Sequence, residues 1–574
     1  MIGVFSYLTW RSTRNRVFRQ LRHLKSPRYL AALLLGTAYI WFMVVGQRPT
    51  TPPGTTADPV VVELIGALAL LGVVGWSWIF GVERRVLAFT PAEVTFLFSG
   101  PVSRRGLIQF KLLRNQLLIL FNAVLWTLIL SRERFGVSSW LRVISIWVLL
   151  TTLSFHRLGA SFVRTSVSEH GRLGMRHRAL SLLVLGAMLV AFAWSGVDAL
   201  PEILAARTDD VPGFLSAIAD AAQRPLPMAL TYPFRAMIRP LAADSVSEWL
   251  ALLWPALVLL VLHYIWVVRS DTAFEEAAAE VSLRRAQALA AGRSRSTSPA
   301  GTRQRTTPPL VRLSPGGWPA GAILWKNLVS VARTRRIRNS ALILTVLGVT
   351  VATLSFDPES ALAEIAGWLS VFWAGVMVIS GPQYVRNDLR GDLLKLDLLR
   401  SYPLRGWEVV LAEAAASTVL VTLIQFCLLA IGYLAFLGNQ SMVPDLQVRS
   451  ILLAAALLLL PAINLLGMLI QNGAALLYPA WVRLGAGRAA GVEALGQNLL
   501  MTIAFVAVLS LTLIFPVILG GGAFLLLRDS LQAWALGPAA VLTLSVMLFE
   551  AGLFVEWLGR IFERTDPASS GISV

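Results

Sequence analysis

The chain has a single cysteine, Cys427, so neither a disulfide framework nor a thiolate metal cluster can form within it. It has no G-x-x-x-x-G-K-[ST] stretch, which excludes the phosphate loop that cradles a nucleotide. Its five histidines, His23, His156, His170, His177 and His263, include no H-E-x-x-H, and the group at 156, 170 and 177 has only Glu169 beside it. We therefore expect no metal site: the group reads as solvated or headgroup-facing, and His263 as snorkelling toward the nearer membrane face. Charge is scarce too. Only 14% of the 574 residues are Asp, Glu, Lys or Arg, against 56% hydrophobic, where an ordinary soluble domain carries about 25% charged residues. With a mean hydropathy of +0.67 this is a polytopic membrane protein.

Acids are the scarcer sign, 32 against 50 bases, giving a net charge of +18. On a soluble domain that excess would suggest nucleic acid. Here the bases lie between apolar runs, where they orient a membrane chain, so no nucleic-acid partner is expected. The first arginines follow a short apolar patch rather than precede a longer one, which does not read as a cleaved signal peptide. Residues 1–28 instead interleave Arg11, Arg14, Arg16 and Arg19 with Phe5, Trp10 and Phe18, a basic amphipathic segment suited to lying on anionic membrane lipids.

A bilayer core needs about 20 apolar residues per helix. Runs near that length occur at about 29–47, 60–80, 116–131, 140–160, 179–198 and 250–268, then at 340–356, 362–381, 411–437, 450–470, 498–519 and 536–556. The expected fold is all-α, with about twelve transmembrane helices and both termini in the cytosol. Lys and Arg gather in alternate connections, such as Arg104, Arg105, Lys111 and Arg114, or Arg386, Arg390, Lys395 and Arg400, which are therefore read as internal. The 199–249 connection is long, slightly acidic and read as external, with room for two short helices. A polar, arginine-rich linker at 270–320 divides a first half, 1–269, from a second, 321–574.

The halves read as a duplication. The loop PAEVTFLFSGPVSRRGLIQFKLLRN from Pro91 and the loop LRGDLLKLDLLRSYPLRGWEVVLAE from Leu389 are both basic and amphipathic. Each is broken by a proline, Pro101 or Pro403, that is followed by an Arg-Gly pair. Trp10-Arg11 echoes Trp325-Lys326, and Glu63-Leu-Ile-Gly echoes Glu364-Ile-Ala-Gly. Glu63 and Glu364 are 301 residues apart, Pro101 and Pro403 302, so the register is nearly kept. Two six-helix repeats that both start in the cytosol are parallel repeats.

Among intramembrane polar groups, Glu63 and Glu364 lie near the outer boundary, either as interfacial residues or at the mouth of a pathway. Glu550 is read as pairing toward Arg560, and Gln425 and Asn464 as bonding neighbouring helices. The repeated loops have two readings. They are surface helices that only anchor the fold, or rigid prominences that fit grooves on a partner.

A basic N-terminal segment, six spans, a helical loop after span two and a long connection before span six resemble the membrane subunit of type-2 ABC exporters. The loop wording, with WRSTRNR and SPRYLAALLLG, resembles a bacterial ABC-exporter family over nearly the whole chain, the linker least. The resemblance implies a non-enzymatic permease in the bacterial cytoplasmic membrane, with no cofactor of its own. It implies a separate cytosolic ABC ATPase, in two copies, that binds ATP and Mg. One copy would dock on Trp10–Arg28 and Pro91–Arg114, through Trp10, Arg11, Phe96, Pro101, Arg104 and Arg105. The other would dock on Trp325–Arg338 and Asp388–Glu408, through Trp325, Lys326, Leu398, Pro403 and Arg405. A fused pair of halves needs no obligatory homodimer. The last external connection, about 520–535, departs from its counterpart by being much shorter. A 6+6 secondary active transporter is the alternative. Against it, the loop after span two runs about 35 residues where the major facilitator family has a tight glycine-rich turn. A membrane-embedded enzyme would need clustered acids, histidines or a nucleophile, and none is found.

Overall fold

A computed structural model describes residues 59–80, 104–130, 139–169, 199–206, 211–243, 245–269, 317–332, 361–386, 388–393, 396–437, 444–478 and 495–565, with scattered single positions elsewhere. Every regular element in these residues is helical. In the first half they are α1 (Pro59–Phe80), α2 (Arg104–Leu130), α3 (Ser139–Glu169), α4 (Leu200–Ala205), α5 (Val211–Ala221), α6 (Pro225–Ile238) and α7 (Val246–Arg269). In the second they are α8 (Gly321–Ala332), α9 (Ala361–Tyr384), α10 (Leu389–Asp392), α11 (Leu396–Arg400), α12 (Gly406–Ala435), α13 (Leu446–Leu477), α14 (Leu495–Thr512), α15 (Ile514–Leu531) and α16 (Leu536–Arg564). Among the described residues six stretches are long and apolar enough to cross a membrane, beginning at Trp140, Val246, Ala363, Gly406, Leu446 and Ile514. The expected spans at 29–47, 179–198 and 340–356 lie outside the described residues, scattered positions apart.

In lipid, apolar side chains do not drive helices together as they do in water, so close backbone approach and polar bonds must do it. Both are present in the second half. A Cβ on Gly367 of α9 would stand 2.7 Å from the Phe436 ring, and one on Gly381 2.7 Å from Val421 of α12. Asn464 of α13 donates to Thr422 Oγ1 at 2.9 Å and to Gln425 Oε1 at 2.6 Å, and Gln425 donates to the Ala374 carbonyl at 3.0 Å. These bonds tie α9, α12 and α13 together, as expected for Asn464 and Gln425. The largest core runs along α12, α13 and α16 and includes Leu466, Met468, Leu469 and Leu558. In the first half α3 packs against both α2 and α7, and α13 likewise packs against both α12 and α16. The halves touch where α2 meets α14 and where α5 meets the start of α9.

Two expectations about the end of the chain change. The helix from Leu495 does not stop near 519. It breaks at Leu513 because Pro516 has no N–H to give to the Thr512 carbonyl, then continues as α15 to Leu531. The supposed 520–535 connection is thus mostly helix, closed by the turn Gln532–Ala535 with Gln532 at φ 51°. Arg449, which directly precedes the apolar run at 450–470, lies in the first turn of α13, where its Nη1 donates to the Phe436 carbonyl at the end of α12.

Candidate functional site

The chain between α9 and α12 is the second of the two repeated loops, and its start is fixed by a buried ion pair. Asp388 caps α10 by accepting the Arg390 N–H at 3.1 Å. The Arg390 guanidinium folds back on the same carboxylate, with Nε 2.9 Å from Oδ1 and Nη2 2.5 Å from Oδ2. Two further hydrogens go to Gln471 Oε1 of α13 at 3.3 Å and to the Val385 carbonyl at 2.9 Å. Both residues are buried. Buried charges stay folded only when paired and hydrogen-bonded in this way.

Helix α11 is amphipathic over five residues. Leu396 and Leu399, spaced i and i+3, are buried, while Leu398 points away at 53% exposure. A tight turn follows, in which the Leu404 N–H donates to the Tyr402 carbonyl at 2.8 Å, leaving Tyr402, Pro403 and Arg405 exposed. Behind this tip the chain is fastened to the end of α16. Arg400 Nη2 donates to the Phe562 carbonyl at 3.0 Å and to the Glu563 carbonyl at 2.6 Å. It thereby satisfies carbonyls that a helix end leaves open and places a cation at the negative end of its dipole. The Gly406 N–H donates to Glu563 Oε1 at 2.7 Å. Glu408 accepts from the Arg405 N–H at 2.9 Å, one half of a capping box. Its other oxygen accepts from Trp318 Nε1 at 3.2 Å.

Helix α8 completes the arrangement. Ile323 is buried against the core that α12 shares, and Asn327 Nδ2 donates to Glu413 Oε2 at 2.6 Å. Glu413 is 0% exposed. Lys326 pairs with Asp392 of α10 and stands 3.5 Å from Glu413 Oε1. Burial alone would lower the Lys326 pKa, but the charges of Glu413 and Asp392 outweigh it and hold the ammonium above the usual lysine value. The loop tip is thus a short, exposed prominence whose base is bonded to α8, α12, α13 and α16.

Of the residues expected to contact an ATPase, Leu398, Pro403 and Arg405 form this prominence, Lys326 stands at its base, and Trp325 is half-buried in α8. Arg104 and Arg105 open α2. Arg11 donates to the Tyr7 hydroxyl at 3.0 Å. Trp10, Phe96 and Pro101 lie outside the described residues. Glu63 and Glu364 are not brought together. Glu63 is paired with Arg235 at 3.3 Å and Arg239 at 3.1 Å, and Glu364 is buried near the start of α9. Arg560 pairs with Glu556 at 2.5 Å rather than with Glu550, because i and i+4 share a helix face. The histidine reading is also corrected. His263 does not snorkel but faces His156 at 3.2 Å, since α3 and α7 pack side by side. Among the described residues no three His, Cys, Asp or Glu side chains meet as metal ligands would.

Sequence reasoning counts Arg390 and Arg400 only as internal charge and does not single out Asn327 or Glu413. An acid inside an otherwise apolar run is the available signal for Glu413.

Long apolar helices, with a polar clamp holding an exposed basic loop at one end of the bundle, define a multi-pass membrane protein. The chain belongs to the family described as "Putative ABC exporter", whose model matches residues 2–562. No curated protein and no solved structure matches it.

Proposed function

We propose that this chain is the permease of an ABC exporter in the bacterial cytoplasmic membrane, driven by a separate ATPase that docks on its cytosolic loops. The observation that carries this reading is the Leu398–Arg405 prominence: exposed at its tip, yet bonded at its base to the ends of membrane helices. A loop that only lay on the surface would not need that anchorage. A load applied at Pro403 passes through Arg400 and Gly406 into α16 and α12, and through Asp392 and Lys326 into α8. ATP-driven closure of the partner then shifts the balance between two packings of the bundle, provided the nucleotide-bound partner favours one of them.

Two copies of the ATPase follow from two copies of the loop. Supporting the duplication, both E-x-x-G stretches put a glycine at a close contact: a Cβ on Gly66 would stand 3.2 Å from Ile238, and one on Gly367 2.7 Å from Phe436. That α3 packs against α2 and α7 as α13 packs against α12 and α16 supports it as well. On this reading the prominence, both termini and the 270–320 linker are cytosolic, ATP and Mg are held by the partner, and no homodimer is required. Replacing Pro101-Val102 and Pro403-Leu404 by flexible polar residues should leave ATP hydrolysis running without transport. Unchanged transport in that double variant would overturn the proposal.

A further inference from the structure

A cavity of about 220 Å³ lies within the first half, bounded by α1, α3, α6 and α7. Its walls are mainly apolar, with Leu70, Val74, Leu149 and Met237 among them, and Thr152, His156 and His263 are its polar lining side chains. None of the three has a hydrogen left to give. The Thr152 hydroxyl donates to the Val148 carbonyl at 2.8 Å. The histidines belong to a chain of bonds with fixed ends. Trp78 Nε1–H can only donate, and it lies 3.1 Å from His156 Nε2, so that nitrogen accepts and His156 carries its proton on Nδ1. The Leu259 carbonyl can only accept, and it lies 2.7 Å from His263 Nδ1, so that nitrogen holds the proton. The facing pair, His156 Nδ1 and His263 Nε2 at 3.2 Å, is then donor to acceptor, as the two ends require. Every nitrogen of the two rings is thus used.

Among the described residues the lining side chains offer no free N–H or O–H, and the Thr152 hydroxyl oxygen is the one side-chain acceptor left, too little for a water, which needs two to four polar partners. An apolar cavity of about 150 Å³ is known to stay dry and to take benzene or xenon, and this one is larger. Its surroundings point to the occupant. The same α1 and α7 that wall the cavity turn Val73, Val261 and Leu262 outward, exposed on faces that lipid covers in a membrane. We propose that the cavity is a binding site for the acyl chain of a membrane phospholipid, which enters past α1 or α7 while its headgroup stays outside. This site is independent of the exporter reading.

The test uses the full chain in nanodiscs of a phospholipid with a photoreactive diazirine in its acyl chain, with label mapped by peptide mass spectrometry. Exposed Leu526, at 85%, reports contact with bulk lipid. Labelling at Leu149 and Met237 should match or exceed that at Leu526. Val74→Phe, which fills the cavity, should lower the ratio at least fivefold, and Leu70→Ala, which enlarges it, should raise it. The two variants move the ratio in opposite directions, so loss of fold in one does not imitate the result. A ratio unmoved by both overturns the proposal. So does labelling of the cavity by a free aryl diazirine but not by the phospholipid, which would assign it to small apolar molecules.

Discussion

Gly406 and Gly559 meet backbone to backbone, at the point where α12 leaves the prominence and crosses the end of α16. A Cβ on Gly559 would stand 2.7 Å from the Trp407 Cα and closer still to its nitrogen, and one on Gly406 would run into the Gly559 carbonyl oxygen. Neither glycine has φ in the left-handed region, so what each supplies is space rather than conformational freedom. That closeness is what lets the Gly406 N–H reach Glu563.

Gly559→Leu should therefore force the two helices apart. Overpacking of this kind costs about 1–3 kcal/mol. The expected result is a lower Tm in detergent together with loss of coupling, whereas Gly552→Leu, at an open position, should change neither.

Asp388→Ala should be among the most damaging changes in the loop, because it leaves the Arg390 guanidinium buried without its partner, at a cost of about 3–5 kcal/mol. The double change Asp388→Leu with Arg390→Leu should be much milder, since it removes both charges. Denaturant unfolding of the three proteins checks the ranking.

Lys326 gives a pH dependence whose sign follows from its raised pKa. A group held above its unfolded value contributes stability that is whole below the ordinary lysine pKa and is lost as pH rises through the raised one. Below the ordinary lysine value the wild-type chain should have a higher Tm than Lys326→Met. Above the usual lysine range the wild type should fall toward the variant, and Asp392→Asn should bring that fall to lower pH.

Arg400→Ala removes the two bonds that hold α11 to the end of α16, a loss on the order of 1 kcal/mol for partly exposed bonds of a charged donor. Opening of the loop should rise roughly fivefold. Trypsin cleavage after Arg405 reports it, and an unchanged rate would show that Gly406 and Glu563 hold the base alone.

Much of this bundle is legible in the sequence. The apolar runs locate the helices, because a bilayer requires a fixed length of them, and the Asn464–Gln425 bond follows from polar groups having nowhere else to turn in lipid. What is not legible depends on contacts between distant segments. His156 and His263 are 107 residues apart and read as unrelated until α3 and α7 pack together. Glu563 reaches Gly406 across 157 residues, and nothing near Gly559 marks it as a crossing point. The break at Leu513 is readable from Pro516. The run of Gly520, Gly521 and Gly522 instead suggests a loop, although the helix continues through all three. In the loop itself Pro403 announces a turn, but Arg400 and Lys326 look like ordinary internal charge, because charge alone does not say which carbonyl or carboxylate it will meet.

The most direct test of the central claim is to purify the tagged chain from its native membrane in mild detergent, with and without substitutions at Leu398, Tyr402, Pro403 and Arg405. These side chains are exposed, so their replacement leaves the bundle intact. The account predicts stoichiometric recovery of a soluble ATPase carrying a phosphate loop with the wild-type chain, and its loss or marked reduction with the variant. Recovery of the wild-type chain alone across several detergents, or an ATPase that binds the variant equally well, would contradict it.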